Sequence, residues 1–344
     1  LNQFHTLSPD LIFSSLESLG FSPTGRLVAL NSVENRVYDF EIEGKERYVV
    51  KFYRPGRWKR EAILEEHQFL YELSENDIPV LTPIRIENQS LFSKHDLVFA
   101  IWPLQKGRIV EEIKEDDLFR LGRLMGRLHT VGKSTNCIHR SKLRLDTYAK
   151  PALDFIANGS FIQNKQLKKR YIQAAESVFQ MYESKLEELN VPFQRIHGDF
   201  HKGNLLLSDS GFSVLDFDDF MEGPIVQDFW MLLPFGGRRE EYEREVFFSG
   251  YKEYCEINPR WLELIEPLRG IRYVHYAAWI AKRWEDPSFP SLFPHFGTEE
   301  YWIQETIDLE TLEKGIPNQL TAETQTEKAD TELSNKDFFW DWEN

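Results

Sequence analysis

The chain has two cysteines in 344 residues, Cys137 and Cys255. That is too few for a disulfide framework and predicts a reducing, cytoplasmic setting. Cys137 lies near His139, but two such residues do not make a metal site. No run of eighteen apolar residues occurs, so no helix is expected to span a membrane. The stretch Leu1 to Ser8 lacks both a basic end and an apolar run, so no signal peptide is read there. Excess positive charge is missing too: 41 Lys and Arg stand against 56 Asp and Glu, a net charge of −15. This argues against nucleic acid or an anionic membrane as the main partner, while leaving room for a local basic pocket. The first predicted hairpin has no Gly-x-Gly-x-x-Gly; its turn is Asn31-Ser32-Val33-Glu34-Asn35-Arg36. A turn without glycine cannot lie closely on a ligand by backbone alone, but it can offer the Ser32 hydroxyl and a few backbone N–H groups.

What is present supports real cores: 41% hydrophobic and 14% aromatic residues, over a length that fits about two domains. Ser8-Pro9-Asp10 ahead of Leu11, Ile12, Leu16 and Leu19 reads as a capped amphipathic helix ending at Gly20. Gly25 to Asn31, Arg36 to Ile42 and Tyr48 to Tyr53 read as an antiparallel meander, with a tight turn at Glu43-Gly44-Lys45. Lys51 sits there in Val-Val-Lys-Phe-Tyr. Desolvating an unpaired ammonium is costly, so a lysine inside an apolar strand needs an anionic partner unless the strand is an edge. Trp58 to Leu73 has helical periodicity and supplies two candidates. Glu66 shares the inward stripe with Ile63, Phe69 and Leu70; Glu65 points further round, and one of the pair is expected to be solvated. Val98 to Pro103 is an apolar strand stopped by proline. After it an acidic run, Glu111 to Asp117, marks a change of domain.

Further on, Leu118 to Val131 is a helix with Gly122 and Gly126 four residues apart, a spacing that permits close packing. His129 is read as structural. Phe161 to Leu189 carries two helical patterns, and helices are expected over Glu240 to Cys255, Trp261 to Ile265 and Leu268 to Trp284. The last is rich in arginine and aromatics (Arg269, Arg272, Tyr273, Tyr276, Trp279) and is read as packed core. From Ile316 the composition turns to Pro, Thr, Glu, Gln and Ser; seven acids and two lysines give this end a charge of −5. It is expected to be disordered, with its aromatic terminus, Phe338 to Trp342, a candidate docking motif.

The organising stretch is His197-Gly198-Asp199-Phe200-His201-Lys202-Gly203-Asn204, followed by Val214-Leu215-Asp216-Phe217-Asp218-Asp219. Asp199 follows a glycine and precedes a loop with a second one, where a carboxylate can accept a proton from a hydroxyl. Asn204 and Asp216 offer hard oxygen ligands of the kind Mg²⁺ takes alongside water and phosphate. Between them an apolar strand, a Ser-Asp-Ser-Gly turn and a second strand form a hairpin that would bring the two ligands side by side. Asp228, at the start of a later apolar helix, can cap it or anchor the N–H groups of the Asp199 loop.

These motifs resemble the catalytic loop and metal-binding Asp of protein kinases. His-Gly-Asp-x-His-x-Gly-Asn is closer to the aminoglycoside phosphotransferase and choline kinase branch. Leu-Asn-Ser-x-Glu-Asn-Arg-Val-Tyr, Val-Val-Lys-Phe-Tyr-Arg-Pro and Ile-Leu-Glu-Glu-His-Gln-Phe look like the bacterial stress response kinase A family, from about Leu7 to about Leu312. The resemblance implies an α+β, bilobal kinase-like fold with an antiparallel-sheet lobe over 1–103, a helical lobe over 104–315 and a tail over 316–344. It implies an ATP- and Mg²⁺-dependent Ser/Thr protein kinase of the cytosol, acting on a protein hydroxyl and open to autophosphorylation. Asp199 would orient and deprotonate the acceptor, with Asp216 the second catalytic carboxylate. Asn204 and Asp216 would hold Mg²⁺. Lys51, fixed by Glu66, would hold the α- and β-phosphates, with Ser32 in the phosphate-binding loop and Val98 to Pro103 as the hinge. The motifs are shared with small-molecule kinases acting on an amino alcohol, sugar or aminoglycoside, which is the alternative. Asp218, where protein kinases have the glycine of Asp-Phe-Gly, departs from that pattern.

Overall fold

The computed structural model describes residue 4 and residues 7–30, 32–233 and 238–313. The acidic end at 316–344, with its expected disorder and docking motif, lies outside the described residues. The chain forms two compact units. One holds Leu1–Val110, Ile138–Arg140 and Asn204–Asp218; the other holds Glu111–Cys137, Ser141–Gly203 and Asp219–Asn344.

The first unit is built on a five-stranded antiparallel sheet. Its strands are β1 (Pro23–Leu30), β2 (Arg36–Ile42), β3 (Arg47–Phe52), β4 (Phe92–Lys94) and β5 (Leu97–Pro103), in the order β1-β2-β3-β5-β4. The expected meander is its first half. Before it comes α1 (Pro9–Glu17), capped by the Ser8 hydroxyl, which accepts from the Leu11 N–H at 3.3 Å. Period-two alternation divides β3 between two clusters. Val50 and Phe52 pack with Phe99, Ile101 and, from α1, Ile12 and Leu16. The opposite face carries Tyr53, Ala100 and Trp102 together with Ile63 of α2 (Arg60–Glu75). β3 is interior, between β2 and β5, so Lys51 is not on an edge strand. A smaller sheet completes the unit: β6 (Arg108–Ile109), β8 (Leu205–Ser208) and β9 (Gly211–Val214), with β8 in the middle.

The second unit is mostly helical. Helix α3 (Glu115–Gly132) packs on α7 (Arg238–Tyr251) through glycines. A Cβ on Gly122 would overlap the carbonyl oxygen of Phe247, and one on Gly250 that of Phe119. Phe161 to Leu189 corrects the expectation of two helices. α4 (Lys150–Asn158) comes before it, and then a single helix, α5 (Lys165–Leu189), begins at Asn164, whose side chain accepts from the Gln166 and Leu167 N–H groups. It ends only at Asn190, in the left-handed conformation (φ +45°). One strand pair, β7 (Phe193–Ile196) with β10 (Met221–Pro224), leads into α6 (Val226–Leu232), all of whose residues are buried. α8 (Ile265–Ala281) packs on α4 and α5, burying Leu268, Ile271, Val274 and Ala278. α9 (Ser288–Leu292) and α10 (Glu299–Glu313) follow.

Candidate active site

In the first unit, Lys51 projects from the α2 face of the sheet and is 9% exposed. Its Nζ lies 2.8 Å from Asp218 Oδ1, 3.3 Å from Asp216 Oδ1 and 4.0 Å from Glu66 Oε1. Burial alone would lower the amine's pKa; Asp218, then Asp216 and Glu66, outweigh it and hold Lys51 well above its ordinary value. Glu66 does lie on the inward stripe, but its nearer partner is Arg140, at 2.9 Å. Burial pushes the Glu66 carboxyl up to about 7, against the pull of Lys51 and Arg140.

Glu65 corrects the expectation that one of the two glutamates is merely solvated. Its carboxylate accepts three successive backbone N–H groups, from Ile138 at 2.6 Å, His139 at 2.7 Å and Arg140 at 2.8 Å. Adjacent glutamates of α2 thus tie down one short segment, one by its backbone and the other by a side chain.

The predicted hairpin forms between β8 and β9, with Leu205 opposite Val214 and Ser208 opposite Gly211. At its open end the Leu215 N–H donates to the Asn204 carbonyl at 2.8 Å. Asn204 and Asp216 therefore flank the same end of one hairpin. Asp216 adopts φ +53°, a left-handed conformation that Asp tolerates better than most residues, and its side chain is 55% exposed. Phe217 turns inward against Phe69 of α2, edge to face at 5.9 Å.

The Ser32 turn is organised by side chains. Ser32 Oγ accepts the Asn35 N–H at 3.3 Å, and Asn35 Nδ2 donates to Asp218 Oδ2 at 2.8 Å. The Arg54 N–H donates to Asn35 Oδ1 at 3.1 Å, and Arg54 Nε to the Glu34 carbonyl at 2.9 Å.

The second unit carries Asp199 on the loop after β7. Gly198 has φ +82°, and a Cβ there would overlap the Asp219 carbonyl oxygen, so this position needs glycine on both counts. Asp228 anchors the loop as expected. Its Oδ2 accepts the His197 N–H at 2.9 Å and its Oδ1 the Gly198 N–H at 2.8 Å. His129 Nε2 lies 3.0 Å from Asp228 Oδ2, an oxygen that can only accept, which places the ring proton on Nε2 and lets Nδ1 accept from the Tyr251 hydroxyl at 2.9 Å. His129 is structural, as read.

Asp199 itself forms an ion pair through Oδ1 with Arg272 of α8. Its Oδ2 faces His201 Nε2 at 3.5 Å, while the Gly203 N–H donates to His201 Nδ1 at 3.0 Å. Burial by itself would raise the Asp199 carboxyl. Arg272 first and then His201 outweigh it and hold the group well below the ordinary carboxylate range. Two hydrogen-bonding oxygens are thereby given distinct directions.

Lys51, Glu66, Asn204 and Asp216 thus belong to the first unit, where Lys51 meets both acids. Ser32 joins that group only through Asn35 and Asp218. Asp199 belongs to the second unit. Sequence reading missed Arg272, taken for packed core, and the partners of Asp218, which had been noted only as a departure from a pattern. Helical spacing cannot name a partner 73 positions away. Two acids in Asp-Phe-Asp beside a buried lysine were a usable signal for the second.

Asn204 and Asp216 fit a magnesium ion by the chemistry of their oxygens. Among the described residues no group of three or more His, Cys, Asp or Glu is arranged to hold a metal ion. Two protein oxygens at one end of a hairpin, one of them well exposed, suit a hard cation that completes its shell with water and phosphate. No described helix is long and apolar enough to cross a membrane.

The model of the phosphotransferase enzyme family matches residues 26–265. Stress response kinase A of Escherichia coli strain K12 is 38% identical over 303 residues, covering 88% of this chain and 92% of that protein. Serine/threonine protein kinase RdoA of Salmonella typhimurium is 36% identical over the same length. Among solved structures, amicoumacin kinase hAmiN, in complex with AMP-PNP, Ca²⁺ and amicoumacin, superposes with a TM-score of 0.68 at 17% identity, over 90% of this chain and 94% of that one. At that identity it speaks for the fold alone, and it agrees with the antiparallel sheet and the helical unit described above. With the family model spanning most of its length and close relatives matched nearly end to end, this chain belongs to the phosphotransferase enzyme family, in the group of the stress response kinase A proteins.

Proposed function

We propose that the protein transfers the γ-phosphate of Mg-ATP to a serine or threonine hydroxyl of a protein, in a response to stress. The observation that carries the phosphotransfer reading is the first unit's charge arrangement. A buried ammonium, Lys51, lies 3.3 Å from Asp216 and 4.0 Å from Glu66, and Asp216 stands beside Asn204 at one end of a hairpin. A cation for phosphate oxygens and hard oxygen ligands for a metal are what a nucleotide triphosphate requires. The metal, when bound, neutralises charge on the phosphates. Lys51 binds phosphate oxygens, and Ser32, whose oxygen already accepts from Asn35, has its hydroxyl hydrogen to donate.

Asp199 accepts a hydrogen bond from the acceptor hydroxyl and directs its oxygen at the γ-phosphorus. The new O–P bond forms as the bond to the ADP oxygen breaks, and the hydroxyl proton passes to Asp199. A carboxylate held ionised by Arg272 is a weak base, which suits a loose transition state in which orientation counts for more than early proton removal.

The protein acceptor is supported by the names of the relatives, both kinases and one a serine/threonine protein kinase. A second reading, a small-molecule alcohol as acceptor, is supported by the fold's likeness to amicoumacin kinase. Radiolabelled ATP separates them. Incubated alone and with a generic protein substrate, the enzyme is expected to label Ser or Thr on the added protein or on itself. Label passing only to a small alcohol would reject the protein acceptor, and no transfer to any hydroxyl would reject the function.

A further inference from the structure

We propose that Asp218 and Asn35 are positioning residues that replace the missing glycines of the phosphate-binding turn, with Asp218 acting as a latch between that turn and Lys51. This rests on the phosphotransfer reading above. A glycine-rich loop reaches phosphates because its backbone is free to bend onto them. The turn at 31–36 has no such freedom and must be held in shape by side chains.

Asp218 is 3% exposed and Asn35 is also 3% exposed, so both are built into the unit. One carboxylate serves three partners: Oδ2 takes Asn35 Nδ2 at 2.8 Å and Arg57 NH1 at 2.6 Å, and Oδ1 takes Lys51 Nζ at 2.8 Å. Asn35 is used at three points in turn. Its Nδ2 goes to Asp218, its Oδ1 accepts from the Arg54 N–H, and its own N–H donates to Ser32 Oγ. Arg54 and Arg57 then close on Glu34 at 3.2 and 3.7 Å, and Arg54 NH2 donates to the Val33 carbonyl at 3.3 Å. Every residue from Ser32 to Asn35 is therefore engaged by this network.

Two consequences follow for the ligand. The lysine is closer to Asp218 than to Glu66, so Asp218 fixes where the ammonium stands. The same carboxylate sets the turn's distance from that ammonium, because it holds both. Loss of the latch should harm the holding of phosphates and spare the nucleoside.

The test uses the full chain and two variants, Asn35→Ala and Asn35→Asp. The second has nearly the volume of asparagine and keeps an oxygen for the Arg54 N–H, but sets a second carboxylate against Asp218. Hydrogen exchange of the 32–36 amides is measured without nucleotide, and affinity is measured for Mg-ATP and for adenosine. Exchange at 32–36 should rise at least tenfold in both variants. Mg-ATP should bind about tenfold more weakly in Asn35→Ala, the worth of one lost hydrogen bond to a charged group, and more weakly still in Asn35→Asp. Adenosine should stay within about twofold, an order of magnitude below that effect. Unchanged exchange in Asn35→Asp, or equal weakening of ATP and adenosine, would overturn the latch. A wild-type protein that binds no Mg-ATP would instead remove the phosphotransfer reading, while the exchange measurement would still decide whether Asn35 and Asp218 hold the turn.

Discussion

Asp199 is the residue whose chemistry depends most on a neighbour. Its carboxyl sits in a buried setting that would raise its pKa, and the Arg272 guanidinium reverses that shift. In wild type the group is ionised at any working pH. A depressed carboxyl contributes stability that is fully present above its unfolded pKa and is lost as pH falls toward the folded one. In Arg272→Met the reversal is gone and burial is left to act, so the Asp199 pKa should rise above the ordinary range by roughly one unit or more. Activity of the variant should then fail on the acid side at a pH where wild type still works. Glu66, pushed up to about 7, titrates in both proteins, so the reading is the difference between their pH–rate profiles. A uniform loss of activity with no displacement of the acid limb would show Arg272 to be packing alone. The carboxylate and its loop were legible from Gly-Asp-x-His-x-Gly-Asn. The arginine was not, since a helix with apolar and aromatic neighbours reads as core whether or not one of its cations reaches a distant acid.

At the level of elements, periodicity was a good guide where one face decides the structure and a poor guide where a contact does. The alternation of β3 and the inward stripe of α2 placed Lys51 and Glu66 on facing surfaces, and Ser-Asp-Ser-Gly placed the hairpin turn. The single helix α5 was read as two because polar residues interrupt its stripe, although no glycine or proline breaks it between Lys165 and Leu189. Glu65 was read as exposed because its partners are backbone N–H groups, which leave no pattern in a sequence. The α3–α7 contact lies between these cases: Gly122 and Gly126 announced close packing but not the partner. Backbone sits where a side chain would be, with the Phe247 carbonyl against Gly122 and the Tyr251 carbonyl 2.8 Å from a Cβ on Gly126. A carbonyl cannot move aside as a side chain can, so Gly122→Ala should cost about 1–3 kcal/mol of stability, the range for overpacking. Urea unfolding monitored by circular dichroism would measure it. An unchanged midpoint would mean that the two helices are not held at this distance.

Taken as a whole, the molecule assigns its candidate groups to two compact units. Lys51, Glu66, Asn204 and Asp216 share the first; Asp199, Arg272 and the Asp228 anchor share the second. If the first unit holds the nucleotide and metal while Asp199 attends to the acceptor, damage to each should be read by a different measurement. Asp216→Ala removes a metal oxygen and one anion beside Lys51, so it should weaken Mg-ATP binding itself. Removing Mg²⁺ with a chelator should have a like effect on wild type and add little in the variant. Asp199→Ala should leave Mg-ATP affinity near wild type and lower turnover by roughly 10²–10⁴, the span for loss of general-base help. Because Asp199 is a depressed base, the lower end of that span is the expected one, with orientation the larger part of what is lost. Calorimetric titration of Mg-ATP beside single-turnover labelling separates the two effects. Full activity in either variant would remove that residue from the mechanism, and equal loss of nucleotide affinity in both would show that the division of labour between the units is wrong.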